Sequence, residues 1–184
     1  MSNLTVGSVS FGTRAPHSFT TPTQRYEALC SAVTNKLETK ITAYTAGFLF
    51  NSTLSYVALI EKQRPAYLKG KLNAIGGHIE PGETPLQCQV REFREETGMT
   101  VNDWTQYAIL RIPGSAEIHF FYAFTNDFFS LEQKTDERLA VHYLPDLHAQ
   151  NYAGCVPNLK YLLPMALLHF KSFYTSIYEI TEPA

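Results

Sequence analysis

The stretch Gly76–Met99 reads GGHIEPGETPLQCQVREFREETGM and decides the fold of this chain. Thr84 followed by Pro85 predicts the start of a helix, because threonine caps helices and proline suits their first position. Gln87 stands where it can complete a capping box. Gly98 predicts the helix end, because glycine takes the left-handed conformation without strain. The stretch therefore predicts a glycine-containing loop that leads into a helix.

The predicted helix has one apolar and one acidic side. At 100° per residue the core-facing stripe comprises Leu86, Val90, Phe93 and Thr97. The opposite side carries Cys88, Glu92, Glu95 and Glu96. Carboxylates three and four residues apart repel one another, which weakens a helix by roughly a few tenths of a kcal/mol per pair. Because oxygen ligands suit Mg²⁺ or Mn²⁺, the acidic side predicts a metal site, which a main-chain carbonyl of the glycine pair can complete.

From Gly77 onward the stretch fits the pattern G-x5-E-x7-R-E-U-x-E-E-x-G-U, where U is a bulky apolar residue, at every fixed position. This pattern resembles that of the Nudix hydrolases, and the resemblance covers roughly residues 41–170. It implies the Nudix fold, an α/β architecture in which a mixed β-sheet lies between helices as an α/β/α sandwich. It also implies hydrolysis of a nucleoside diphosphate linked to a further group, with Mg²⁺ as the cofactor and Mn²⁺ as a substitute.

The resemblance also implies roles for individual residues. By position, the metal ligands of the family fall on Glu92, Glu95, Glu96 and the carbonyl of Gly76. Glu83 is expected to give structural support, and an ion pair between Arg91 and a glutamate would fix the carboxylate geometry. The general base of the family comes from the motif helix or from a later loop, where Glu137 is the second candidate. The catalytic candidates are thus Arg91, Glu92, Glu95 and Glu137.

Two further segments resemble one group within the family, the oxidised-purine nucleoside triphosphatases. Leu72–Gly77 reads LNAIGG and is similar to the WNGFGG of that group, in which the asparagine matching Asn73 bonds the base. Val156–Pro164 reads VPNLKYLLP and resembles WPDDSYWFP, which places Asn158 at the first of two acidic base-reading positions. An asparagine amide both donates and accepts hydrogen bonds, so this pair is expected to read the edge of a base.

The chain departs from that group where Leu159 stands at the second acidic position and Val156 at a stacking tryptophan. The expected reaction is therefore hydrolysis of a (d)NTP to the monophosphate and pyrophosphate, without a choice of base. Lys71 and Gly77 complete the expected substrate-binding set. Lys71 is the last residue of a basic loop that also contains Arg64 and Lys69 and that lies just before the motif. A loop in this position is expected to contact phosphates.

Three other interpretations stay open. An ADP-ribose or nucleotide-sugar type diphosphatase is suggested by Pro113-Gly114, near the place where such members carry a proline–glycine turn. A non-catalytic Nudix-fold nucleotide sensor would be expected to have lost motif glutamates, and all are present here. An isopentenyl diphosphate isomerase-like enzyme would need its own cysteine and glutamate arrangement, which Cys88 inside the helix does not suggest.

Composition limits the partners. A net charge of −2 over 184 residues favours a small-molecule nucleotide over a nucleic acid polymer. Three distant cysteines without metal or disulfide spacing indicate a reducing compartment. The sequence shows no signal peptide or membrane-spanning run, so a cytoplasmic protein that does not associate with membranes is expected. Members of the family are often dimers, which makes a homodimer one expected state.

Residues 1–38 are expected to form an N-terminal arm with an added helix, and residues 39–184 a single Nudix hydrolase domain. Alternating and apolar runs predict the strands Ile41–Phe50, Leu54–Glu61, Trp104–Ile112, Glu117–Thr125 and Leu139–Leu144. The first two are expected to form a hairpin. A closing helix is expected over Pro157–Lys171, and Pro164 would kink it or begin its regular part.

Overall fold

A seven-stranded sheet forms the middle layer of the protein, whose computed structural model describes residues 41–172 and 176–182. The sheet comprises β1 (Thr42–Asn51), β2 (Tyr56–Glu61), β3 (Leu72–Asn73), β4 (Thr105–Ile112), β5 (Ala116–Thr125), β6 (Arg138–Tyr143) and β7 (Tyr178–Thr181). Its order is β3-β2-β1-β5-β4-β7, and β6 also pairs with β2. The expected arm and added helix lie outside the described residues.

The sheet is mixed, as predicted. β1 and β5 pair in parallel along their whole length, from Thr42 beside Ala116 to Asn51 beside Thr125. β1 with β2, and β4 with β5, are antiparallel hairpins formed by the predicted apolar runs. β7 adds a parallel edge to β4. Because β1, β2, β4 and β5 each bury side chains on both faces, helices must cover both sides of the sheet.

Three helices are described: α1 (Pro85–Thr97), α2 (Leu144–Ala149) and α3 (Leu159–Ser172). α1 packs on one face, where Phe93 lies 5.0 Å from Trp104 between ring centroids. α3 packs on the other face, where Leu159 and Leu162 are fully buried in a cluster with Tyr107. The α/β/α sandwich is therefore confirmed. None of the helices among the described residues is long and apolar enough to cross a membrane.

The ends of α1 follow local rules. Thr84 and Gln87 form the predicted capping box, and Gly98 ends the helix at a φ of 72°. The predicted apolar stripe is wrong at two places: Leu86 is 43% exposed, whereas Cys88, expected on the opposite side, is fully buried. Cys88 is buried because the loop before the helix folds back against it, with the His78 carbonyl 3.3 Å from its sulfur.

That loop enters the sheet between β1 and β2. β3 pairs with the end of β2, and the chain then crosses to β1. There the Gly47 N–H donates to the Ile75 carbonyl at 2.7 Å, and the Thr45 N–H donates to the Gly77 carbonyl at 2.8 Å. The two glycines of the motif are thereby fixed to the central strand of the sheet and below α1.

The sequence analysis did not predict several short elements. β3 has two residues and β7 four, too few for a periodic pattern to be read, and α2 has six. α3 continues through Pro164 as one helix. In the predicted polar loop after β5, Phe128 is fully buried against the α1 side of the sheet. Each of these depends on tertiary pairing more than on local sequence.

Candidate active site

Two glycines allow the loop to lie directly against α1 and β1. A Cβ atom at Gly77 would stand 2.4 Å from the carboxyl carbon of Glu92, and one at Gly76 would stand 2.4 Å from the carbonyl oxygen of Thr45. Both distances are far below van der Waals contact, so any larger residue would push the loop outward. The Gly76–Gly77 backbone and the Glu92 carboxylate are therefore neighbours only because glycine occupies both positions.

Arg91 connects three acidic residues. Its Nε and Nη2 donate to the two oxygens of Glu83 at 2.9 Å each, and its Nη1 donates to Glu92 at 2.8 Å and to Glu95 at 3.3 Å. Nη2 also donates to the His78 carbonyl at 3.2 Å. The Arg91 guanidinium lowers the pKa of Glu83 to about 2, and Glu83 and Glu92 in turn raise the pKa of Arg91. The ion pair expected of Arg91 is present, and it orients Glu92.

Glu96 lies apart from this cluster. Its Oε2 is buried and has no hydrogen-bond partner within the described part of the chain. Burial, helped by the nearby charges of Glu137 and Glu92 and opposed by Lys62 and the Gly76 backbone, raises the pKa of Glu96 to about 8. An acidic oxygen that is buried and unpaired is costly unless a further positive group satisfies it.

The donor set fits a divalent cation. Among the described residues, no three His, Cys, Asp or Glu side chains converge as a preformed metal cluster, since Arg91 holds Glu92 and Glu95. The three motif glutamates are nevertheless oxygen donors at i, i+3 and i+4 on one helix. No described residue satisfies the buried Oε2 of Glu96, and hard oxygen donors of this kind are what Mg²⁺ binds. The residues present therefore suit such an ion.

Lys62 is a charged residue of the site that the sequence analysis missed. Its Nζ lies 2.7 Å from Glu137, whose other carboxylate oxygen accepts from the Gln63 N–H at 3.3 Å. Lys62 and Glu137 are only 19% and 12% exposed. They meet because β2 and β6 pair with Glu61 beside Arg138, so the next positions face each other. The pairing also brings Glu137 within electrostatic reach of Glu96.

A cavity of about 990 Å³ opens beside this cluster. Gly76, Gly77, Lys62 and Arg64 line its charged end. Apolar side chains from the sheet and the segment before α3 form much of the remaining wall, and polar positions interrupt them at Asn73, Asn158 and Glu182. A mostly apolar cavity with a few fixed polar groups is the usual form of a small-molecule site.

The structure brings both expected base-reading asparagines to this cavity. The Leu72 N–H donates to the Gly154 carbonyl, and the Val156 N–H donates to the Leu72 carbonyl, both at 2.9 Å. This pairing holds the segment that leads to Asn158 against β3, which carries Asn73, and both asparagines line the cavity. The Asn158 Oδ1 is buried without a partner among the described residues. The Asn73 Oδ1 accepts from the Ala74 N–H at 2.9 Å, which leaves the amide donors of Asn73 for another group.

Lys71, expected to bind substrate, does not line the cavity. It lies in the turn before β3. There the Lys71 carbonyl accepts from the Lys62 N–H, and the Lys71 N–H donates to the Leu68 carbonyl, both at 2.9 Å. Lys62 and Arg64 line the cavity instead. A lysine directly after an apolar strand was the sequence signal for Lys62.

Residues 42–152 match the family model described as the NUDIX domain. A segment of 44 residues is 43% identical to the 8-oxo-dGTP diphosphatase of Escherichia coli (strain K12). It covers 24% of this chain and 34% of that protein, so the match spans about a third of the relative.

Two solved structures share the fold. The MutT protein from Bacillus halodurans is 20% identical with a TM-score of 0.55, covering 78% of this chain and 91% of that one. A NUDIX hydrolase from Nitrosomonas europaea is 15% identical with a TM-score of 0.57, covering 78% of this chain and 80% of that one. At these identities the likeness shows the fold alone.

Proposed function

The chain belongs to the Nudix family, and from that premise we propose that it is a pyrophosphohydrolase acting on a (d)NTP. The products would be the nucleoside monophosphate and pyrophosphate, with Mg²⁺ as the cofactor and Mn²⁺ as a substitute. The observation that carries this proposal is a complete motif, with its glutamates intact, beside a nucleotide-sized cavity that has cationic side chains at one end. The activity named for the E. coli relative supports the choice of substrate.

Cationic side chains of this chain bind the phosphates. Lys62 and Arg64 line the cavity beside Gly76 and Gly77. A lysine and an arginine there attract phosphate oxygens and direct the triphosphate toward the motif helix. The base then extends toward Asn73 and Asn158, whose amides satisfy polar groups on its edge.

Glu92, Glu95, Glu96 and the Gly76 carbonyl would hold the divalent cation. When bound, such an ion neutralises phosphate oxygens and acidifies a water molecule. Arg91 is a positioning residue here, since its bonds to Glu83 and Glu92 fix the direction of the Glu92 carboxylate. Partners of this kind typically change metal affinity or activity by about 10–100-fold when they are lost.

The hydrolytic step needs a proton acceptor. A water oxygen forms a bond to phosphorus while the bridging P–O bond breaks, pyrophosphate leaves, and a carboxylate takes the proton of the water. Glu92 and Glu95 on α1 and Glu137 from the loop before β6 are the candidates. Glu137 stands 2.7 Å from Lys62, which keeps it close to the charged end of the cavity. A Lys62 that also contacts phosphate would release Glu137 as the substrate enters.

The test is an incubation of the purified protein with Mg²⁺ and a panel of nucleotides, with products resolved by chromatography. The panel holds ordinary and oxidised (d)NTPs, ADP-ribose, dinucleoside polyphosphates and NADH. Glu96→Gln should abolish turnover, whereas the matched control Glu132→Gln, an exposed carboxylate paired with Lys134, should not. Conversion of a (d)NTP to its monophosphate supports the proposal. Turnover that survives Glu96→Gln contradicts the metal assignment.

One observation keeps the diphosphatase alternative in the panel. Pro113-Gly114 forms the turn between β4 and β5, and its flanking residues Ile112 and Ser115 line the cavity. Preferred release of AMP from ADP-ribose would replace the (d)NTP proposal and keep the metal site. Nucleotide binding without any turnover would favour a sensor.

The proposed setting is cytoplasmic, with small-molecule nucleotides as ligands. Cys88 and Cys155 are free and buried thiols, which accords with a reducing compartment. A homodimer is proposed only because members of the family are often dimers, and the oligomeric state can be measured by light scattering.

A further inference from the structure

Glu182 brings a carboxylate to the cavity from a part of the fold that the motif does not include. It follows β7, and its N–H donates to the Arg111 carbonyl at 3.0 Å, which continues the pairing of β7 with β4. It lines the cavity together with Ile112 and Ser115. The backbone of Glu182 is thus fixed at the edge of the sheet, where the residue lines the cavity.

The side chain of Glu182 is held by α3. The Tyr161 hydroxyl donates to its Oε1. Tyr161 lies one helical turn after Asn158, and the Asn158 carbonyl accepts from the Tyr161 N–H at 3.2 Å. Because Tyr161 occupies one oxygen of the carboxylate, Glu182 keeps its second oxygen as an acceptor. Asn158 supplies another acceptor, the buried and unpartnered Oδ1.

Lys62 and Glu182 place opposite charges at two separate parts of the cavity wall. Lys62 follows β2 and Glu182 follows β7, and the strand order places β7 four strands from β2. At about 4.8 Å per strand this is a separation of at least about 19 Å across the sheet, because the loop with β3 also lies between the end of β2 and β1. A triphosphate is attracted to the lysine and repelled by the glutamate, so the base is the part of a nucleotide that meets Glu182.

A cavity wall that presents hydrogen-bond acceptors is complementary to a base edge that presents hydrogen-bond donors. A carboxylate accepts hydrogen bonds only, and the amide oxygen of Asn158 is likewise an acceptor. A ring edge with an N–H next to an exocyclic amino group presents two donors side by side. A ring with a carbonyl in place of that amino group, or with no group there, would leave an acceptor of the wall unpaired, which is costly in a buried site.

From these positions we propose that Glu182 is a specificity residue that, with Asn158, selects bases whose ring edge carries an exocyclic amino group beside an N–H. The inference rests on the proposed function, because it places a nucleotide in this cavity with its phosphates at the Lys62 end. It adds a residue outside the motif to the substrate-reading set and gives the base the donor chemistry that Asn73 and Asn158 alone leave open.

Binding of reaction products in EDTA tests this proposal without turnover. dGMP and dIMP differ only in the exocyclic amino group, and calorimetry gives both dissociation constants. The protein should bind dGMP about tenfold more tightly than dIMP. Glu182→Gln should bring that ratio close to one by weakening dGMP binding and leaving dIMP binding within about twofold. Tyr161→Phe, which frees the carboxylate to rotate, should lower the ratio in part.

The control is Glu179→Gln, in the strand β7 that precedes Glu182, because Glu179 is exposed and pairs with Arg111 outside the cavity. The Glu179→Gln variant should show the same ratio of dissociation constants for dIMP and dGMP as the unaltered protein. If Glu182 only supports Tyr161 structurally, Glu182→Gln will lower the melting temperature and leave the ratio unchanged, which overturns the proposal. Equal binding of dGMP and dIMP by the unaltered protein, or no binding of either, overturns it as well.

The proposal and the proposed function fail in different ways. Hydrolysis of (d)NTPs without a dGMP preference removes the role of Glu182 and keeps the reaction. A dGMP preference that depends on Glu182, in a protein that hydrolyses no (d)NTP, removes the reaction and keeps the role of Glu182.

Discussion

Replacement of Glu83 by glutamine tests how the motif loop is attached to α1. Glu83 receives two hydrogen bonds of 2.9 Å from Arg91, and the two side chains are only 14% and 24% exposed. Arg91 lowers the pKa of Glu83 from 4.5 to about 2. At 1.36 kcal/mol per pKa unit this is at most about 3 kcal/mol, which solvent screening reduces. We expect Glu83→Gln to lower the free energy of unfolding by about 2 kcal/mol at pH 7, the size of a charge-assisted pair.

The pH dependence of that loss has a defined sign. Because the folded protein holds the pKa of Glu83 below its ordinary value, the stabilisation is complete above pH 4.5 and is lost as the pH falls toward about 2. The difference between Glu83→Gln and the unaltered protein should therefore shrink over that window.

Urea denaturation in EDTA, followed by circular dichroism from pH 7 to pH 2.5, measures this difference. The control is Glu80→Gln, since Glu80 is exposed and forms no ion pair within the described residues. A difference below about 0.5 kcal/mol at pH 7, or one of the same size at every pH, would refute the reasoning. The same substitution should also lower turnover about tenfold or more, because Arg91 is then free to move Glu92.

Three other substitutions probe separate parts of the account. Gly77→Ala should lower the free energy of unfolding by about 1–3 kcal/mol and abolish turnover, because its Cβ would stand 2.4 Å from the Glu92 carboxyl carbon. A variant that is stable in urea denaturation and active in turnover assays would show that the loop can move aside. Lys62→Met should reduce kcat/KM for a (d)NTP at least tenfold, with partial recovery in Lys62→Arg, and unchanged kcat/KM would exclude Lys62 from the site. Phe93→Ala should lower the free energy of unfolding by about 3–5 kcal/mol, since the ring is fully buried against Trp104, and a loss below 1 kcal/mol by urea denaturation would contradict that packing.

What the sequence predicted best was local. The start and end of α1 follow from Thr84, Gln87 and Gly98, whose roles involve neighbours within one turn of the helix. The hairpin of β1 and β2 follows from two apolar runs separated by turn residues. The motif spacing placed Arg91 and the later glutamates on adjacent surfaces, because helical geometry relates them directly, whereas Glu83 precedes the helix.

What the sequence could not show depends on chain segments far apart. Lys62 meets Glu137 through the pairing of β2 with β6, across 75 positions of the chain. Cys88 is buried because the loop before α1 turns back over it, which a helical wheel of α1 alone does not contain. Glu182 reaches the cavity through β7, which is too short to be recognised and is placed only by pairing with β4.

The identity of the cleaved bond tests the central claim most directly. Phosphorus-31 NMR of one incubation of the protein with a (d)NTP and Mg²⁺ separates pyrophosphate plus monophosphate from orthophosphate plus diphosphate. The account predicts pyrophosphate and monophosphate in equal amounts, and neither product from Glu96→Gln. Orthophosphate as the first product, or the same spectrum from Glu96→Gln, would contradict it.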